Sequence, residues 1–277
     1  MLKDRRNRRI RLATAVAVCA LALLAPPGGS EPRPDRFDTV VIDPGHGGEN
    51  QGARGAGGLL EKDLVLDVGL RLAKRLEERG VGVVLTRSDD RFVSLEERTS
   101  IANDARGDLF VSIHANASRA RSARGIETFF VSMEASDEAA QQIANLENQA
   151  FAGSEAVARI NEDPLLAILG DLIATEHLLE SQEFAGLVQG RLASGRSRGV
   201  KQAPFVVLMG VQMPAALVEI GFLTNSEEAR RLRTSAERDR VADGLAGAVV
   251  EFAERYDARR GAAGTPADQD RSGVPAQ

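Results

Sequence analysis

Six short apolar runs punctuate the chain, at residues 39 to 43, 81 to 86, 109 to 114, 125 to 131, 205 to 209 and 215 to 220. Each is four to eight residues long and rich in Val, Ile, Leu or Phe, which predicts β-strands. Residues 62 to 79, 94 to 105 and 235 to 257 instead repeat their apolar positions every three or four residues, which predicts helices between or after the strands. Strand and helix alternating in this way imply an α/β fold. Because the strand runs hardly alternate between apolar and polar positions, both faces of the sheet should be covered by helices, as in mostly parallel or mixed sheets.

One stretch breaks the rhythm. From Ala135 to Leu192 only helical patterns are found, among them Leu165, Ile168, Leu169, Leu172 and Ile173 at helix spacing. Residues 135 to 192 therefore read as a helical insertion, serving either as a layer packed on the sheet or as a regulatory cap. At the other extremes of the pattern, Lys3, Arg5, Arg6, Arg8, Arg9 and Arg11 precede an apolar run, Leu12 to Ala25, that stops at Pro26-Pro27-Gly28-Gly29. The run is too short for an ordinary membrane span, so residues 1 to 25 read as an export signal. Arg8-Arg9 followed by Ile10-Arg11-Leu12 is similar to a twin-arginine signal. Cys19 is the only cysteine; Val16-Ala17-Val18 before it lacks the small residue expected beside a lipidated cysteine, which favours a soluble exported protein over a lipoprotein, an uncleaved membrane anchor being the alternative reading. Residues 26 to 37 form a linker with no room for a further targeting domain, residues 38 to 257 a single catalytic domain, and residues 258 to 277 a tail without period, expected to be disordered.

Charge and composition narrow the function. The 277 residues are 43% hydrophobic, enough for a full core. Without residues 1 to 25 the chain carries about ten net negative charges, which argues against nucleic acid as a partner. There is no Trp and one Tyr, Tyr256, so aromatic platforms for sugar rings are scarce. With no cysteine outside the leader, metal chemistry must use histidine and carboxylate.

Two of the three histidines end apolar runs: His46 in Val40-Val41-Ile42-Asp43-Pro44-Gly45-His46-Gly47-Gly48, and His114 in Leu109-Phe110-Val111-Ser112-Ile113-His114-Ala115-Asn116. Each imidazole should project from the carboxyl end of a strand, where open α/β sheets bind ligands. Between them Glu61 stands where a Gly-rich loop, Gly57-Gly58, turns into a helix. Two histidines and a carboxylate make a zinc hydrolase's ligand set. Glu219 lies inside the apolar run 215 to 220, where burial of a charge demands a partner or a nearby metal. It reads equally as a general base and as a structural carboxylate bonded to a loop, and its place near the histidine-bearing strand ends favours the base.

Taken in order, Asp43-Pro44-Gly45-His46-Gly47-Gly48, Glu61-Lys62, Ser112-Ile113-His114-Ala115-Asn116 and Val218-Glu219-Ile220-Gly221-Phe222-Leu223-Thr224-Asn225 resemble the zinc-dependent N-acetylmuramoyl-L-alanine amidases of the Amidase_3 family, over roughly residues 38 to 255. The resemblance implies a mixed six-stranded sheet between helices, one Zn2+ held by His46, Glu61 and His114, and Glu219 as the catalytic base. It implies a periplasmic or envelope enzyme acting on peptidoglycan, at the amide between muramic acid and the first L-alanine of the stem peptide, in wall turnover or daughter-cell separation. In many relatives an aspartate stands where this chain has Asn116. The insertion is similar in length to the segment by which division amidases block their zinc until an activator protein displaces it, making Glu134 and Glu147 the candidate autoinhibitory carboxylates; His177 reads as a packing or surface residue. Rival readings are another zinc amidohydrolase or carboxypeptidase, and a binding protein with a decayed site.

Overall fold

The computed structural model describes residues 36–149, 164–193 and 197–261, with the side chains of 164–176 excepted. The export segment with Arg8-Arg9 and Cys19, nearly all of the linker, residues 150–163 of the insertion, the side chains of Leu165 to Ile173 and the tail beyond residue 261 lie outside the described residues.

Six strands form one mixed sheet. They are β1 (Thr39–Pro44), β2 (Gly82–Leu85), β3 (Leu109–Asn116), β4 (Ile126–Val131), β5 (Ser197–Ala203) and β6 (Ala215–Phe222). Their order is β2-β1-β3-β6-β4-β5. Strands β2, β1, β3 and β6 run parallel, β4 runs antiparallel to β6, and β5 is parallel to β4. Seven helices occur among the described residues: α1 (Glu61–Glu77), α2 (Leu95–Asp104), α3 (Glu138–Gln149), α4 (Pro164–Leu192), α5 (Val206–Met209), α6 (Ser226–Leu232) and α7 (Ser235–Arg259). None is long and apolar enough to cross a membrane.

Both faces of the sheet are covered, and this explains the unbroken apolar strands. On one face Val40, Ile42, Val111, Ile113, Ala216 and Val218 pack against α1, α7 and the carboxyl-terminal half of α4. On the other, Val41, Phe110, Phe129 and Leu217 meet α2, α3 and α5. Every residue of β3 and of β6 is buried in consequence. Local chemistry sets the helix starts. Ser94 accepts a bond from Glu97 N, Asn225 from Glu227 N and Glu228 N, and Thr234 from Glu237 N, each filling donors that a first turn leaves open.

Two elements differ from the sequence expectation. Residues 205 to 209, expected as a strand, form α5. Pro204 and Gly210 bound the run, Asn148 Oδ1 accepts from Val206 N at 3.0 Å, and Val206, Val207 and Leu208 are all buried. An apolar run of this length fits a buried helical turn as well as a strand. The sixth strand is instead β5, Ser-Arg-Gly-Val-Lys-Gln-Ala, whose polar residues suit a sheet edge.

Candidate active site

The carboxyl ends of β1, β3 and β6 lie together because these strands are parallel neighbours. The chain leaves β1 through Pro44 and Gly45 and turns at His46, which adopts φ +58°. A glycine is required just before that turn, since a Cβ at Gly45 would stand 2.4 Å from the His114 ring. His114 rises from β3 toward the same space. The chain then passes Gly52, where a Cβ would meet the Glu61 carboxylate at 2.5 Å, and enters α1 at Glu61.

Glu61 caps no helix; its carboxylate is fixed from two sides, Oε2 by Ala53 N at 2.7 Å and Oε1 by Ala115 N at 2.8 Å. Oε1 then faces His46 Nε2 at 2.9 Å and His114 Nδ1 at 3.2 Å. A fourth atom joins from the insertion: Glu147 Oε2, near the end of α3, lies 3.0 Å from His114 Nδ1 and 3.4 Å from His46 Nε2. Asn50 Oδ1, 3.0 Å from His46 Nδ1, selects the tautomer that protonates Nδ1 and leaves Nε2 as the donor of a lone pair.

These four ligand atoms lie within 4.8 Å of one another. His114 Nδ1 and Glu147 Oε2 are buried yet form no hydrogen bond, so their convergence asks for a cation between them. The electrostatics agree. Burial opposes charge on His114, but Glu147 and Glu61 outweigh it and raise its pKa well above the ordinary value. Burial likewise pushes Glu61 up, while His46 and His114 overcome it and hold the carboxyl far below its usual range. The cluster can bind a metal ion.

Glu219 sits on β6 in register with His114 of β3 and with Glu127 of β4. It is wholly buried and neither carboxylate oxygen has a hydrogen-bond partner. Burial first, then the charge of Glu147, raises its pKa well above the ordinary carboxylate value, with His114 pulling the other way. Glu127, equally buried, is balanced by Arg198 and by Lys201 Nζ at 3.3 Å.

Beside the cluster opens a cleft of about 590 Å³ lined by His46, Asn50, Phe92, Asn116, Leu146 and Glu147, among others. Asn116 is buried with Nδ2 unpaired. Of the two insertion carboxylates singled out from sequence, Glu147 enters the cluster, whereas Glu134 is exposed ahead of α3 and stands outside it. His177 lies on α4 beside Glu180 at 3.6 Å, also outside. Asn50, Glu127 and the buried Arg87 and Arg98 surround the site without a mark in the sequence. An arginine in Thr86-Arg87-Ser88-Asp89 or on a charged helix carries no outward sign of burial.

A family model described as N-acetylmuramoyl-L-alanine amidase matches residues 40–251. The chain is 36% identical over 225 residues to the N-acetylmuramoyl-L-alanine amidase AmiA of Escherichia coli, covering 79% of this chain and 77% of that protein. It is 34% identical over 241 residues to the uncharacterized protein YqiI of Bacillus subtilis, covering 86% and 96%. Among solved structures, an N-acetylmuramoyl-L-alanine amidase from Clostridium difficile 630 superposes with a TM-score of 0.60 at 30% identity, covering 79% of this chain and 98% of that one.

Proposed function

The chain belongs to the Amidase_3 family of N-acetylmuramoyl-L-alanine amidases, and we propose that His46, Glu61 and His114 hold one zinc ion and that Glu219 carries the proton in its hydrolysis of peptidoglycan. The observation behind this reading is the convergence of two imidazole nitrogens and the Glu61 carboxylate on one buried space. Glu61 Oε1 stands 2.9 Å from His46 Nε2 and 3.2 Å from His114 Nδ1, and the whole cluster lies within 4.8 Å, close enough for one ion to be shared. Held by His46, Glu61 and His114, a zinc ion would supply Lewis acidity and lower the pKa of water toward neutrality.

The chain's own residues then order the reaction. The bond cut joins the lactyl carbonyl of muramic acid to the nitrogen of L-alanine. Glu219 takes the proton from the attacking water and delivers it to that nitrogen, so the C–N bond breaks to give a lactyl carboxylate and a free amine. Its raised pKa suits a group that must hold this proton between the two steps. Asn116 Nδ2, buried without an acceptor, offers a hydrogen bond to a substrate carbonyl in the cleft.

Glu147 belongs to the resting state. Its carboxylate fills the position that water must take, so α3 holds the site closed and a partner protein that lifts α3 would open it. The protein works in the cell envelope, where peptidoglycan lies, in keeping with the basic and apolar leader read from residues 1 to 25.

Digestion of purified sacculi by the chain lacking residues 1 to 25, with mass analysis of the products, tests the assignment. Stem peptides with a free L-alanine amine are expected, and zinc at one equivalent per chain. Glycan fragments, or peptides cut elsewhere, would refute it.

A further inference from the structure

The loop that carries His46 is gripped from beneath by two buried arginines. Arg87 and Arg98 are each 1% exposed. Arg98 on α2 gives Nη1 to Asp43 Oδ1 at 2.6 Å and to Pro44 O at 2.9 Å, and Nη2 to His46 O at 2.7 Å. Arg87, after β2, gives Nε to Pro44 O at 2.9 Å and Nη2 to Gly45 O at 2.7 Å and to Lys62 O at 2.8 Å. Thus the carbonyls of three consecutive residues, Pro44 to His46, and that of the residue after Glu61, all point at guanidinium groups.

This arrangement is costly. Two cations share a buried space with Asp43, and burial together with the Arg98 charge lowers Arg87 to about 10. His46 also sits at φ +58°, a backbone region that a non-glycine residue keeps only when its surroundings enforce it. A buried Asp–Arg pair alone would tie β1 to α2 without touching the loop. The additional bonds to Pro44, Gly45 and His46 act on the segment that aims the ring.

We infer that Arg98, aided by Arg87, is a positioning residue that fixes the His46 backbone so that Nε2 faces Glu61 and His114. The inference rests on the zinc reading above. A planar fork can hold Asp43 and His46 O at once, whereas a lysine ammonium reaches one of them. Thr86 provides the contrast, because its hydroxyl donates to the same Asp43 Oδ1 at 2.6 Å and touches no loop carbonyl.

Full-length wild type, Arg98→Lys and Thr86→Val are compared by three measurements: thermal midpoint, zinc affinity by competition with a chromophoric chelator, and the visible absorption of the cobalt-substituted protein. Both variants are expected to melt several degrees lower. Only Arg98→Lys is expected to lose zinc affinity, by about 10- to 100-fold, the range typical of groups that orient metal ligands, and to alter the cobalt spectrum. If Arg98→Lys does not fold, Arg87→Lys, which leaves the Asp43 pair intact, carries the same expectation. Wild-type affinity and spectrum in a folded Arg98→Lys or Arg87→Lys overturn the inference, as does equal weakening in Thr86→Val, which would reduce the arginines to general stability. A wild-type chain that takes up no zinc overturns the zinc reading and the inference with it, and is distinguished by the first control.

Discussion

Glu219 is a carboxylate placed where no group satisfies it, between the β3 strand of His114 and the β4 strand of Glu127. An unbonded buried carboxylate costs stability, and a fold keeps such a group only when something else acts on it. Replacement by glutamine keeps the shape and removes the proton carrier. Glu219→Gln should therefore retain zinc, melt no lower than wild type, and lose about 10²- to 10⁴-fold in the rate of sacculus digestion. A variant keeping half the wild-type rate would make the residue structural. At this scale the positions of His46, Glu61, His114 and Glu219 stood out in the sequence, because histidine or glutamate at the end of an apolar run or at a glycine-helix junction conflicts with plain core packing. Their surroundings did not stand out. Asn50 is an ordinary loop residue until its carbonyl is seen 3.0 Å from His46 Nδ1, and Arg98 looks like the polar face of α2 until its guanidinium is found beneath the loop.

Among elements, α3 is held by few apolar contacts and carries Glu147 into the site. Its apolar contact with the sheet rests on three side chains, Ala140, Ile143 and Ala144. Polar latches supply the rest: Lys201 Nζ meets Asp137 at 3.1 Å, and Asn148 both donates to Pro204 O at 2.9 Å and accepts from Val206 N at 3.0 Å. Elements with few buried apolar contacts open at low cost. If closure by Glu147 lies a few kcal/mol below the open state, only about 0.1 to 10% of molecules are competent at any moment. Glu147→Ala should then digest sacculi about tenfold or more faster than wild type at equal zinc content, and Glu134→Ala, at an exposed position, should not. Unchanged rates in Glu147→Ala would leave α3 as a covering layer. The helix periods of α1, α2 and α7 were readable to within about two residues, because α1 and α7 each bury a long apolar stripe and α2 buries Leu95 and Ala102 on one face, apart from its charged residues, Arg98 excepted. Strand β5 was not readable: at the sheet edge Ser197, Arg198, Lys201 and Gln202 have no inner face to mark them, and in the apolar run that looked like its replacement, 205 to 209, Val206, Val207 and Leu208 are buried as a helical turn.

For the molecule as a whole, acid stability follows from which carboxylates the fold favours in charged form. Burial raises Asp43, but Arg98 and the Thr86 hydroxyl more than offset it, so its folded pKa lies below the ordinary 3.8. A group depressed in the folded state contributes stability that is complete above its unfolded pKa and is lost as pH falls through the folded value. Glu228, whose burial raises its pKa, works in the opposite sense: its contribution is present below the unfolded value and fades as pH rises through the folded one. Asp43 acts on the acid side together with Glu61, which His46 and His114 hold low, and it joins β1, β3 and α2 through Ser112 at 2.8 Å and Arg98 at 2.6 Å. Removing one partner of a buried ion pair typically costs about 3–5 kcal/mol. In the presence of chelator, so that release of metal does not contribute, Asp43→Asn is expected to melt well below wild type at pH 6. That gap should narrow steadily as pH drops below about 4, where the wild-type carboxylate itself becomes protonated. A gap of constant size from pH 6 to pH 2.5, read by thermal melts followed by circular dichroism, would show that the Asp43 charge contributes nothing and that only the shape of the side chain is needed there.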